Sequence, residues 1–464
     1  MPRMRFIATL ACLAVLCCGA GLEKQSASEY HARRVALASK LNGGAALIFS
    51  ADEPEMNYLS WRQDQDFYYL TGWNEPGAAL LVEAAIDPAK DEADDAGSQP
   101  ASPEPYREIL FVRARNPRLE VYRGVGIYAN TPEAARLAGV DEVRPMTDLQ
   151  SELVRLLLPK DSKATAGRGA KLYAPADESK AKASLDLVGS TIGVALPPAR
   201  DLRHTTAELR VTKSQGEIAL LKKAAEASVA AHRAVLKAIE PGVSERTISG
   251  LIDYKLKEYG CERPSYPSIV GSGANAAVLH YMADENTMDA GGLVVVDAAG
   301  EYSMYASDIT RTLPVNGHFT PRQREIYDVV LGAQRAAIAA FVSGKSYMGS
   351  GTEKKDPNSL NKIAYDYVNT HGKDLHGESL GKYWLHGLGH SVGIDVHDPY
   401  EAKKPFGPGS VFTIEPGVYI PEEKIGVRIE DTFYVDPDGK LINLTGALPH
   451  TADEVETAMK HDSR

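Results

Sequence analysis

The chain has 464 residues, 44% of them hydrophobic and 24% charged, a balance that excludes a disordered polymer and a membrane-embedded bundle alike. That length exceeds what one hydrophobic core fills, so two domains are expected. A formal net charge of -11, with no basic block to offset it, argues against nucleic acid as a partner.

The first twenty residues read as a signal peptide. Arg3 and Arg5 precede the apolar run Phe6 to Leu16, and the small residues Cys18, Gly19 and Ala20 then offer a cleavage site. The run is too short to span a bilayer as a stable helix, so cleavage leaves no integral membrane domain. Export to a bacterial periplasm, or secretion, is the expected consequence. Cys17 and Cys18 leave a lipid-anchored form open, although the residues before them fit a lipoprotein signal poorly. Once Cys12, Cys17 and Cys18 are removed only Cys261 remains, which forbids an internal disulfide and reads as an inert packing residue.

Residues 21–205 are expected to form an α/β domain. Glu29 to Leu41 has helical spacing and Ala45 to Ser50 reads as a buried strand. From Asp66 to Leu81, FYYLTGW followed by Asn74-Glu75-Pro76-Gly77 and a further apolar run reads as strand, turn, strand. Asp87 to Pro105 is acidic and rich in Pro, Ala, Ser and Gly, the composition of a solvated insertion. Strand resumes at Glu108 to Arg113, and helices with small connections fill the stretch to Leu202.

Residues 206–464 have a different texture, that of an α+β domain. Helices are expected over Ser214 to Ile239, stopped by Pro241-Gly242, and over Glu245 to Tyr259. Pro264 to Tyr281 is rich in turns. Gly292 to Ala298 and Tyr305 to Val315 are β-branched runs that a hairpin turning near Glu301 to Met304 would join. Helices from Arg322 to Val342 and Leu360 to Thr370 flank a polar loop, and three late strands follow. The alternation helix, helix, strand, strand recurs twice after Ser214.

Five donors in this second half sit inside apolar or glycine-rich segments: Asp297, Asp308, His390, Glu415 and Glu430. An ionised carboxylate stripped of water costs several kcal/mol unless something pairs it. Asp297 ends LVVVD and Asp308 lies in ASDITRTLPV, so the expected hairpin sets them roughly opposite each other, where two carboxylates repel unless a cation lies between. His386 and His390 stand in HGLGH, whose glycines and missing Glu rule out a zinc-protease helix. His397 follows in IDVHDP, Glu415 in VFTIEPGVY, and Arg428 shares a strand face with Glu430 in GVRIEDTFYV. Four acids and one imidazole suggest two divalent cations. Oxygen donors without thiolate favour Mn²⁺ first, with Zn²⁺ or Co²⁺ open. Two cations about 3.5 Å apart can activate water without a Ser or Cys nucleophile.

The stretch Gly271-Ser272-Gly273-Ala274-Asn275-Ala276 matches a loose dinucleotide pattern. The run before it, Ser268 to Val270, is too short for a convincing buried strand, and no strand-ending acid follows at the right distance. It reads as a turn that lets the backbone pass close to the site.

Together the motifs VGSGANAAVLHY, DAAGEYSMYASDITRTLPVNG, HGLGHSVGIDVHD, FTIEPGVYI and GVRIEDTFYV closely resemble the Xaa-Pro aminopeptidase (aminopeptidase P) family of pita-bread metallopeptidases. The resemblance runs from about Tyr30 to Met459 and includes RQDQDFYYLTGWNEPG in the first domain, which the related methionine aminopeptidases lack. It implies a pita-bread catalytic domain in which Asp308 and Glu430 bridge two metals, Asp297 holds one, and His390 and Glu415 complete the other. It further implies that Glu415 moves protons, that His280 lies at the substrate, that His397 stabilises the oxyanion, and that His386 and Arg428 stand close by. The implied substrate is a peptide with proline in second position; self-association into a homo-oligomer stays open. A prolidase would use the same ligands on dipeptides, and a metal-free peptide-binding scaffold would need none of them.

Overall fold

A computed structural model describes residues 22–53, 61–84, 106–123, 128–129, 134–158, 171–350 and 356–460. The signal segment 1–20 and the whole acidic insertion from Asp87 to Pro105 lie outside the described residues. Six strands form the first sheet: β1 (Ala45–Phe49), β2 (Ala79–Glu83), β3 (Arg107–Val112), β4 (Glu142–Pro145), β5 (Leu172–Ala174) and β6 (Arg200–Asp201), in the order β4-β3-β2-β1-β5-β6. All five residues of β1 are buried, because the sheet is covered on both faces. The sheet is mixed, antiparallel from β1 to β3 and parallel at both edges.

One expectation fails here. The aromatic run FYYLT is a helix, Gln65–Thr71, and only the second apolar run is a strand. Asp64 caps it by accepting from the Phe67 amide at 2.8 Å, and Gly72 ends it at φ 61, a left-handed conformation that favours glycine. Because Phe67, Tyr68, Tyr69 and Leu70 are all buried, the run carries no alternation from which helix and strand could be told apart.

In the second half, two helix pairs enclose several small sheets. Helix Gln215–Ala238 begins with a reciprocal Ser214–Glu217 capping box, and Pro321–Ala340 with Thr320 and Gln323 in the same roles. Their partners are Glu245–Glu258 and Leu360–His371. The strands are β7 (Arg263–Pro264), β8 (Ile269–Ser272), β9 (Leu293–Asp297), β10 (Gly300–Tyr302), β11 (Tyr305–Ala306), β12 (Thr310–Pro314), β13 (Val411–Ile414), β14 (Gly417–Ile420), β15 (Ile425–Arg428), β16 (Asp431–Val435) and β17 (Leu441–Asn443). The late strands therefore number five rather than three, divided at Pro416, at Lys424, at Ile429 and by the turn from Asp436 to Gly439. Ile269–Ser272 is a buried strand after all, paired with β9.

The hairpin between the aspartates also differs from expectation. A turn does fall at Ser303 and Met304, but it closes β10 on β11 within another sheet. Asp297 faces Thr310, so Asp308 lies two residues short of the register partner.

The halves share a core. Leu37, Phe67, Leu70 and Trp73 of the first pack in one apolar cluster with Ile218, Met304, Tyr305, Val392, Ile394 and Val411 of the second. No helix among the described residues is long and apolar enough to cross a membrane.

Candidate metal centre

Strand ends bring the donors together. Asp297 closes β9, Asp308 precedes β12, Glu415 follows β13, and Glu430 lies between β15 and β16, tied to Thr310 by a backbone bridge. His390 enters on a loop whose backbone pairs with Thr413, two residues before Glu415. HGLGH forms no helix, as its glycines require. A Cβ at Gly389 would stand 2.3 Å from the Thr413 carbonyl oxygen, so only glycine lets the loop lie this close to β13.

Donor atoms of Asp308, His390 and Glu430 all lie within 4.8 Å of one another. The His390 Nδ1 hydrogen points to the Ser391 carbonyl at 3.1 Å, which turns Nε2 toward Asp308 at 3.3 Å and Glu415 at 3.5 Å. Asp297 joins through Tyr266, whose hydroxyl lies 2.6 Å from Asp297 Oδ1 and 2.5 Å from Asp308 Oδ1. One hydroxyl has one proton and cannot donate to both. The second contact therefore calls for a further proton or a cation between the acids.

Arg428 supports the cluster from behind. Its Nη2 donates to Asp297 at 2.6 Å, its Nε to Thr310 Oγ1 at 3.1 Å, and Thr310 in turn donates to Glu430 at 2.7 Å. Its Nη1 donates to Tyr419 Oη at 2.7 Å, leaving that hydroxyl to donate to His386 Nε2 at 2.8 Å. His386 Nδ1–H then donates to Gly387 O at 2.7 Å, which defines its tautomer. Burial, with Arg428 adding to it, lowers His386 to about 4, so it is neutral and forms no ion pair with Glu415 3.9 Å away.

With only the chain's own charges present, the acids are uncomfortable. Burial pushes Glu430 well up, and Asp308, Glu415 and Asp297 push it further. Burial likewise raises Asp297 despite Arg428, and lifts Glu415 to about 7 despite His390. His390 is pulled down by burial, but Asp308 and Glu415 outweigh that and hold it at about 9. Its proton then occupies a place between carboxylates that suits a metal ion. Four acids face two compensating cations, Arg428 and His390, and this deficit is what divalent ions would fill. The donor set therefore fits them.

His397 stacks on His390 with ring centroids 3.8 Å apart and an exposed outer face. Burial, then the charge on His390, lowers its affinity for a proton. The loop carrying it is a series of bends. His280 is exposed at the mouth, close enough to act electrostatically on His386 and His397.

The sequence reading missed Tyr266, Thr310 and Tyr419. Their signal was a hydroxyl flanked by chemistry: Tyr266 in the Pro-Ser-Tyr-Pro turn, Thr310 two residues after Asp308, and Tyr419 four after Glu415. A second donor group, His31, Glu108 and Asp141, is already satisfied, because Arg34 takes Glu108 with two hydrogen bonds of 2.6 and 2.9 Å. Cys261 is buried and unpaired, its thiol pushed up by burial to about 12, in keeping with a packing role.

Known proteins share the two-part organisation of this chain. The profile of metallopeptidase family M24 matches residues 219–437, and that of the aminopeptidase P N-terminal domain matches residues 30–165. The Xaa-Pro aminopeptidase of Escherichia coli (strain K12) is 33% identical over 94% of this chain and 98% of its own. Zn-substituted E. coli aminopeptidase P in complex with product superposes with a TM-score of 0.76 at 30% identity, covering 94% of this chain and 99% of the other. The same enzyme with the inhibitor Pro-Leu gives the same TM-score, identity and coverage.

Proposed function

This chain belongs to the Xaa-Pro aminopeptidases of metallopeptidase family M24, hydrolysing with divalent metal the bond before a penultimate proline, and we propose the following roles for its residues. Asp308 and Glu430 would contribute to holding both ions, Asp297 would hold one, and His390 with Glu415 would hold the other. When bound, the pair polarises the scissile carbonyl and makes water a nucleophile at neutral pH. The observation that carries this assignment is the deficit of positive charge around four converging carboxylates, Asp297, Asp308 and Glu430 buried and Glu415 partly so.

Glu415 takes the proton of the attacking water on a carboxylate oxygen and delivers it to the prolyl nitrogen, which must leave as a secondary amine. A carboxylate suits both halves of that transfer, since it accepts a proton and then releases it to a more basic nitrogen. His397, neutral and open on one face, donates an N–H to the oxygen that becomes negative as the carbonyl is attacked. His386 keeps Tyr419 and Arg428 in line behind Asp297. His280, exposed at the mouth, meets the peptide. A dedicated site is needed because an Xaa-Pro amide has no N–H and a fixed φ.

Mn²⁺ is the metal that oxygen-rich ligation favours. The Zn-substituted relative makes Zn²⁺ the natural comparison. Export is supported by Arg3, Arg5 and the apolar run that follows them. Assay of Xaa-Pro-Yaa tripeptides beside Xaa-Pro dipeptides, before and after chelation and Mn²⁺ return, tests the whole reading. Tripeptide cleavage lost on chelation and restored by Mn²⁺ is expected; cleavage confined to dipeptides, or indifferent to chelator, would refute it.

A further inference from the structure

A second buried charge cluster lies behind the loop that carries His390 and His397, away from the carboxylates. Among the described residues the His397 ring makes no hydrogen bond, so its position depends on its stack against His390 and on the backbone turn beneath it. That turn is folded around one carboxylate. Asp398 donates its backbone N–H to Ser391 O at 2.9 Å, and its Oδ1 accepts from the Asp395 amide at 3.2 Å. Gly393 passes so close that a Cβ there would stand 2.6 Å from Asp398 Cγ.

Two cations from the segment joining the halves grip this carboxylate. Arg210 Nη2 donates to Asp398 Oδ1 at 2.7 Å and to Asp395 at 2.8 Å, while Lys213 Nζ lies 2.8 Å from Asp398 Oδ2 and 3.4 Å from Ser391 Oγ. Lys213 thus touches the residue after each histidine, Ser391 after His390 and Asp398 after His397. The first domain closes the cluster. Asp66 accepts from Arg210 Nη1 at 2.8 Å, and Arg62 donates to Ile394 O at 2.6 Å and lies 3.5 Å from Asp395. Arg210, Lys213 and Asp398 are each at most 5% exposed, so their charges act with little screening by water.

We propose that Asp398, clamped by Arg210 and Lys213, is a positioning residue for His397, and that the first domain reinforces the clamp through Asp66 and Arg62. Asp398 does not reach the substrate; it sets the turn on which His397 stands, and a misplacement of about 1 Å at such a group can cost ~10²-fold in rate. This rests on the role given above to His397 at the oxyanion.

Steady-state kinetics of Asp398→Asn, His397→Ala and the double variant, each with its bound metal measured, test it. For Asp398→Asn, kcat is expected to fall ~10²-fold with KM within about 2-fold and metal content retained, since an oxyanion contact exists only in the transition state. The double variant should be no slower than His397→Ala. Losses that multiply in the double variant, or a wild-type kcat in Asp398→Asn, would overturn the positioning role. A wild-type kcat in His397→Ala would instead refute the role of His397 itself. Should Asp398→Asn fail to fold, Asp66→Asn, two contacts removed, is expected to lower kcat several-fold with the same non-additivity against His397→Ala. Independent losses there would overturn the proposal equally. Arg210→Lys, which keeps the charge and loses the fork, should recover part of the rate lost in Arg210→Met; equal rates in the two would count against the clamp.

Discussion

Around Asp398 four carboxylates, Asp66, Asp395, Asp398 and Glu301, meet four cations, Arg62, Arg210, Lys213 and Arg263, so the chain neutralises the cluster itself. Around Glu430 four carboxylates meet, among the described residues, only Arg428 and His390. The acids at the heart of the two clusters respond in opposite directions. Burial would raise Asp398, but Lys213 and Arg210 hold it below the ordinary carboxylate range, whereas burial and mutual repulsion drive Glu430, Glu415 and Asp297 upward. A buried carboxylate is structural where the fold supplies its cation, and a ligand where the fold withholds one.

The contrast breaks hardest at the two acids proposed to serve both ions. Asp308→Ala or Glu430→Ala should lower kcat by ~10³-fold or more, the equivalent of losing several kcal/mol of carbonyl polarisation. Turnover retained beside full metal occupancy would erase the distinction between the clusters. Stability should invert it. In chelated protein followed by urea unfolding, Asp398→Asn is expected to lose roughly 3–5 kcal/mol by leaving two buried cations underpaired. Glu430→Gln, removing an acid that nothing balances, should leave stability unchanged or raise it; a loss equal to that of Asp398→Asn would contradict the charge deficit.

Acidity sharpens the same point. Glu415 sits at about 7, above its ordinary 4.5, so its ionisation costs stability above pH 7 and the cost is relieved as pH falls from 7 toward 4.5. His390 sits at about 9, above 6.5, so its contribution is full below pH 6.5 and lost as pH rises through 9. Both signs agree. Chelated protein should melt at a higher temperature at about pH 5.5 than at about pH 8.5, and added Mn²⁺ should raise Tm more at the alkaline pH, where the ligands are free of protons. A metal-induced shift that is larger in acid would contradict the ligand assignment.

Smaller effects belong to the groups behind the ligands. Tyr266→Phe and Arg428→Lys should weaken metal binding by about 10–100-fold in a chelator competition titration, as expected for groups that orient ligands. His386→Ala, further out along the chain from Tyr419, should reduce kcat less than any ligand substitution. An effect as large as that of Asp308→Ala with metal content unchanged would move His386 into the reacting centre.

The converging donors are legible in the sequence because acids among Val, Ile and Phe stand out against their neighbours, and strand ends need few contacts to converge. Tyr266 and Thr310 were not, since a hydroxyl in a turn or strand has ordinary local uses. The FYYLT helix escaped notice because its caps, Asp64 and Gly72, are single residues beside a run that is buried on every side. Asp398 was hidden more deeply. It directly follows His397, but its partners Arg210 and Lys213 lie nearly two hundred residues earlier, and only the tertiary fold brings them together.

Metal stoichiometry by elemental analysis of the wild type, Glu430→Gln and Asp398→Asn tests the central claim most directly. Two divalent ions per chain are expected in the wild type and in Asp398→Asn, with one or both lost in Glu430→Gln. Equal metal content in Glu430→Gln and the wild type, or metal lost only in Asp398→Asn, would show that the deficit of charge had been placed in the wrong cluster.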